Sequence, residues 1–234
     1  MKSNFNSVNL LCGSKIFIIG KRNETYEMIL PVLRDRNENL DYDIFISFCA
    51  TPLEEINQKN KSNFISKLSL LKTYRQYNKN ISKILEKYLA KFMVGFKYVD
   101  DSLYWGDRLV GKEVFELFCD YCAIAGGVKS IKDLKLIITE DMDEFDKMQI
   151  EYEKKIRKAK EKNENGSKSA DLDLVLTGVV QTFGYTYEQL QDKTLYSIYF
   201  MYSQLNRIAN YEIGNIAAGN GLLSKGAKHS HWAM

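Results

Sequence analysis

The sequence predicts a mainly α fold: an α+β N-terminal domain with two short β-hairpins, followed by a helical C-terminal module. Three observations carry this. Apolar residues recur at steps of three and four over long stretches, above all between residues 62 and 92 and again after residue 171. β-rich runs occur near residues 7–20 and 92–110, each beside a turn signal. Between the two helical regions lies a charged, then purely polar stretch with no periodicity, which marks a boundary.

Taken in order, Val8, Leu10 and Cys12 alternate into Gly13-Ser14, and Ile16 to Ile19 returns as the second arm of a hairpin over residues 7–20. From Glu24 the spacing of Tyr26, Ile29, Leu30 and Leu33 reads as helical, with Pro31 delaying or kinking the helix. A short helix follows from Asp41 to Cys49. Thr51-Pro52-Leu53-Glu54-Glu55 then reads as a helix start, with a capping Thr, Pro at the first helical position and acids in the first turn. The best-defined helix runs from about Ser62 to Phe92. Leu68, Leu71, Tyr74, Ile81, Ile84, Leu85, Tyr88, Leu89 and Phe92 form its stripe, and lysines lie opposite.

Phe92 to Val99 and Ser102 to Val110 form the second hairpin about Asp100-Asp101, with a bend at Gly106-Asp107. Lys112 to Ala125 is helical and ends at Gly126-Gly127. Lys135 to Thr139 reads as a short strand. These elements make up an N-terminal domain over residues 1–150. Residues 151–170 form a charged helix and flexible linker, whose basic run 154–162 gives way to polar 163–169. Ordering the linker would cost about 1–2 kcal/mol per residue with no apolar face to bury in return.

The module over 171–234 begins with Asp171 as a cap for a helix bearing Leu172, Val175, Leu176, Val179 and Val180, stopped near Gly184. Thr186 caps a longer helix with Leu195, Ile198, Tyr199, Tyr202, Leu205, Ile208 and Ile213 on one stripe. Gly214, Gly219 and Gly221 make further helix costly, leaving a glycine-rich tail.

Composition narrows the function classes. A net charge of +3 over 234 residues gives no support for a dedicated nucleic-acid binder. No apolar run approaches the roughly 20 residues of a membrane span, and the N-terminus lacks a signal-peptide core. Scattered cysteines at 12, 49, 119 and 122 fit a reducing compartment, so the expected location is the cytoplasm.

The motifs that could carry chemistry are better explained by structure. Cys119-Asp120-Tyr121-Cys122 falls late in a helix, on the stripe of Val114, Phe115 and Phe118, where the thiols act as small buried hydrophobes. Cys12 and Cys49 stand alone and do not supply a second ligand pair. His229 and His231 are the only histidines and lie in the glycine-rich tail. Gly221 to Gly226 has the spacing of a phosphate loop, but Ala227 stands where Lys is needed. The acidic cluster from Glu140 to Asp146 lacks the ligand pattern of a calcium loop. No catalytic residue, cofactor or metal is expected. Protein binding remains, and its candidate residues are Tyr187, Tyr196, Tyr199, Phe200, Tyr202, Tyr211 and Trp232, because one stripe cannot bury so many rings in a small module.

A charged helix and linker lead into Asp171-Leu172-Asp173-Leu174-Val175, then Gly184-Tyr185-Thr186-Tyr187. A Tyr-rich helix opens at Thr194-Leu195-Tyr196-Ser197, and the chain closes on His231-Trp232. That order, over about residues 150–232, resembles tail-morphogenesis proteins of tailed bacteriophages of the tail assembly chaperone kind. The resemblance implies a non-enzymatic adaptor that chaperones the tape-measure protein and recruits tail-tube subunits in the host cytoplasm. The alternatives are a structural virion component (baseplate or connector) in the tail, and a nucleic-acid-associated regulator.

Overall fold

The computed structural model describes residues 15–19, 25–129, 148 and 171–220. The mainly α architecture is as predicted, with a small antiparallel β part. In chain order the elements are β1 (Lys15–Ile19), β2 (Thr25–Ile29), α1 (Leu33–Glu38), α2 (Tyr42–Ala50), α3 (Leu53–Asn60), α4 (Lys67–Tyr77), α5 (Lys79–Phe92), β3 (Phe96–Val99), β4 (Ser102–Trp105), β5 (Arg108–Leu109), α6 (Lys112–Ala125), α7 (Leu172–Phe183), α8 (Tyr187–Gln191) and α9 (Leu195–Gly219).

The first hairpin is displaced from its predicted place. Ile16–Ile19 is a strand, but it pairs forward with Thr25–Ile29, in a register from Lys15↔Ile29 to Ile19↔Thr25. The segment read as the start of a helix is therefore β2. Tyr26 and Met28 are buried while Thr25 and Ile29 face out, an alternation of period two that helical spacing had masked. Pro31 marks the true boundary. The helix begins only at Leu33, where Asp35 Oδ2 accepts from the Val32 amide at 2.8 Å. The proposed first arm at residues 8–12 lies outside the described residues, as do the 135–139 strand, the charged linker and the tail after Asn220.

Thr51 does not cap α3. Its amide and hydroxyl both donate to the Ser47 carbonyl, closing α2, and Pro52 precedes the first helical residue, Leu53. The long 62–92 helix is two helices. Asn78 ends α4 by donating its amide to the Tyr74 carbonyl, and starts α5 by accepting from the Ile81 amide at 3.2 Å. A residue that caps in both directions offers the backbone an alternative to continuing, and the apolar stripe resumes on the far side.

The second hairpin is a three-stranded meander, β3-β4-β5. Asp100 and Asp101 both have positive φ, 45° and 59°, as a two-residue turn of the I′ kind requires. Gly106-Asp107 is not a bend within one arm but the turn between β4 and β5. The sheet is pinned beneath β2: Trp105 Nε1 donates to the Glu27 carbonyl at 2.8 Å, and Met28 bridges to Met93.

The main core lies where α2, α4, α5 and α6 meet. Phe45 stacks on Tyr88, Tyr88 on Phe92, and Phe115 on Phe118, with Trp105 closing the cluster edge-on against Phe118. A second, smaller core holds Val175, Val179, Leu190, Leu195 and Ile198, and its sixth buried member is Leu33 of α1. The N-terminal region thus contributes a side chain to the heart of the C-terminal module.

Candidate protein-binding surface

The long helix of the module is capped by Thr194, not Thr186. Thr194 is fully buried and accepts from the Ser197 amide at 3.0 Å. Thr186 instead caps the short α8, in a reciprocal box with Gln189. Gly214 does not stop α9, which continues to Gly219. A glycine costs roughly 1 kcal/mol in an established helix, far less than the cost of a new nucleus.

One stripe organises α9. Leu195, Ile198, Tyr202, Leu205, Ala209, Ile213 and Ile216 follow one another at steps of three and four, so all fall on one face. At its start the stripe is sealed, Leu195 and Ile198 being 3% and 0% exposed. Tyr202 and Leu205 seat on Gly178 of α7, where an added Cβ would come within 3.3 Å of Leu205 Cδ1. Then the cover ends. Twelve residues make α7 about 18 Å long against about 37 Å for the 25 residues of α9. Ile213 and Ile216, still on the same stripe, are 63% and 64% exposed.

The base of this helix is firmly held. The Leu33 amide donates to the Lys193 carbonyl at 2.8 Å, Arg34 pairs with Asp192 at 2.9 Å, and Asn37 bonds Gln191 at 3.0 Å. The Tyr199 ring lies against Gly127, at the turn that ends α6. The second half of α9 therefore projects from a fixed mount.

The predicted aromatic residues fall into several settings. Tyr199 and Tyr202 are half-buried and pack on the module's core, and Tyr196 packs against the main core. Tyr196 also stacks on Phe200, ring centroids 6.4 Å apart, and Phe200 is exposed. Tyr187 is exposed, its hydroxyl 3.3 Å from Thr177 Oγ1. Tyr211 is half-buried on the projecting half. Trp232 lies outside the described residues, as do the two histidines. Ile216 was missed because the helix was expected to end at Gly214. The signal was present, since Ile216 follows Ile213 by three.

Cys119 and Cys122 are buried and free, as predicted, but Cys49 is not alone: its thiol contacts both. Burial pushes all three thiols up from their ordinary range, which makes them poor nucleophiles. The buried Lys67 ammonium donates to the Cys49 carbonyl in the last turn of α2, where helix carbonyls lack an intrahelical partner. Among the described residues, no three His, Cys, Asp or Glu side chains are grouped to hold a metal ion, and no helix is long and apolar enough to cross a membrane. Comparison with protein families, with curated proteins and with solved structures finds no match for the chain.

Proposed function

We propose that this chain is a non-enzymatic adaptor that binds a helical segment of another protein along the projecting half of α9. The observation that carries the reading is the continuity of one apolar stripe from a buried start to an uncovered end. Covering Ile213 and Ile216 would contribute about 1–2 kcal/mol each, and a helix presenting its own apolar face is the simplest cover. In the specific form that the sequence resemblance suggests, the partner is a phage tape-measure helix and tail-tube subunits are recruited to it.

The test is co-expression of the full chain with tape-measure fragments, followed by capture and washing. A paired Ile213→Glu, Ile216→Glu change should lose capture while the circular dichroism spectrum is kept, because both side chains are exposed. Capture that survives this change but is lost in Tyr196→Ala, Phe200→Ala would move the site to the base of α9. Capture of unrelated apolar helices but no tape-measure fragment would retain the adaptor and remove the phage assignment.

A further inference from the structure

The projecting stripe carries one feature that an ordinary apolar seam lacks. Between Leu195 and Gly219 the only charged residues are Arg207 and Glu212. At 100° per residue, Arg207 falls on the back of the helix, whereas Glu212 falls at the edge of the stripe, about 40° around the helix from Ile216. A surface that covers this stripe must offer an apolar groove and place a cation beside it, or Glu212 would be desolvated without a partner.

The same molecule displays such a surface elsewhere. Between α2, α3, α4 and α5 runs an open groove of about 270 Å³, lined by Ile44, Phe48, Ile56, Tyr74 and Ile81, with Lys59 on its rim. Ile44 is 44% exposed, so no described residue seals the groove. Lys59 sits in the last turn of α3 and, among the described residues, pairs with Glu55 four residues back, both side chains being well exposed. A pair of that kind is worth little and exchanges readily for another carboxylate.

We propose that the projecting ridge of one copy docks in this groove of a second copy, Ile213 and Ile216 entering the apolar floor and Glu212 meeting Lys59. This rests on reading the α9 stripe as a docking element and names a second copy of the chain as an occupant. Ridge and groove are different patches, so the contact is head-to-tail. Each pair leaves one free ridge and one free groove, and growth stops only where the rotation closes a ring.

The experiment is sedimentation of the full chain across the micromolar to millimolar range. The weight-average mass should rise from that of the 27.1 kDa monomer with concentration. Ile216→Glu and Ile44→Glu should each weaken association by about tenfold or more, with the circular dichroism spectrum and melting temperature kept. Mixed in equal amounts, the two variants should give a dimer that stops there, because the first retains only a groove and the second only a ridge. Glu212→Lys should weaken association, and adding Lys59→Glu should restore it. A wild type that stays monomeric throughout, or a mixture of the two variants that does not dimerise, overturns the proposal. A monomer that still captures a foreign helix through Ile213 and Ile216 overturns it while leaving the adaptor reading intact.

Discussion

The ring of Tyr199 occupies the space where Gly127 would carry a side chain: a Cβ built there lies 3.0 Å from Tyr199 Cε2 and 3.2 Å from Leu195 Cβ. Gly127 also has a φ of +71°. Gly127→Ala would meet both a strained backbone and an occupied seat, so we expect a cost of about 1–3 kcal/mol in urea denaturation. A loss under about 0.5 kcal/mol would mean that the module does not bear on this turn.

Leu33 and Arg34 separate the apolar from the ionic share of the mount. Leu33→Ala empties a site in the module's core and should cost about 2–4 kcal/mol. Arg34→Ala removes only an ion pair whose side chains are 50% and 68% exposed, and should cost well under 1 kcal/mol. Equal effects would show that the mount is held by charge.

Asp41, at the start of α2, accepts from Tyr88 at 3.0 Å and from Lys87 at 3.1 Å. Burial works to raise its carboxyl, but these hydrogen bonds hold it below the ordinary value. A depressed carboxylate stabilises the fold above its unfolded-state value, and that share is lost as pH falls through the folded-state value. Asp41→Asn should therefore flatten the acid limb of a stability–pH curve. Glu116 has the opposite sign, since burial raises it. Its protonated form is favoured on folding, so Glu116→Gln should relieve a loss of stability that grows as pH rises above the ordinary carboxylate range. Unchanged curves for both variants would contradict these assignments.

The thiols of Cys49, Cys119 and Cys122 should alkylate only as fast as the native state opens. Peptide mass spectrometry after timed labelling checks this for each cysteine separately. The paired Cys119→Ala, Cys122→Ala change should lose about 1–3 kcal/mol from core packing and leave partner capture unchanged. Rapid labelling of Cys49 in native buffer would refute the buried cluster.

Fold class was legible because the long stripes are strong: Leu85, Tyr88, Leu89 and Phe92 announce α5, and Val175 with Val179 announces α7. Boundaries were harder where one residue type serves two ends. Asn78 caps in both directions, and a stripe that resumes after one residue looks continuous. Tyr26 and Ile29 satisfy helical spacing, yet the side chains that are buried are Tyr26 and Met28, and only pairing with β1 shows that period. For the candidate site, the aromatic residues were visible, but their sorting between core and surface depends on Leu33 and Gly127, which are distant in sequence. The uncovered end of the stripe was hidden by overrating Gly214 as a stop.

The contact between Leu33 and Lys193 also sets a clock. Its partners stand 160 residues apart, the distance from 33 to 193. The six residues of α1 are too few to hold a helix in water without tertiary support. At about 5–20 residues per second, the α9 mount emerges from a ribosome roughly ten to thirty seconds after Leu33 does. Throughout that interval the chain carries Leu33 without the core that will cover it, and closing so long a loop is the late step in folding. A segment made some 160 residues after Leu33 is thus the one that completes the packing of α1.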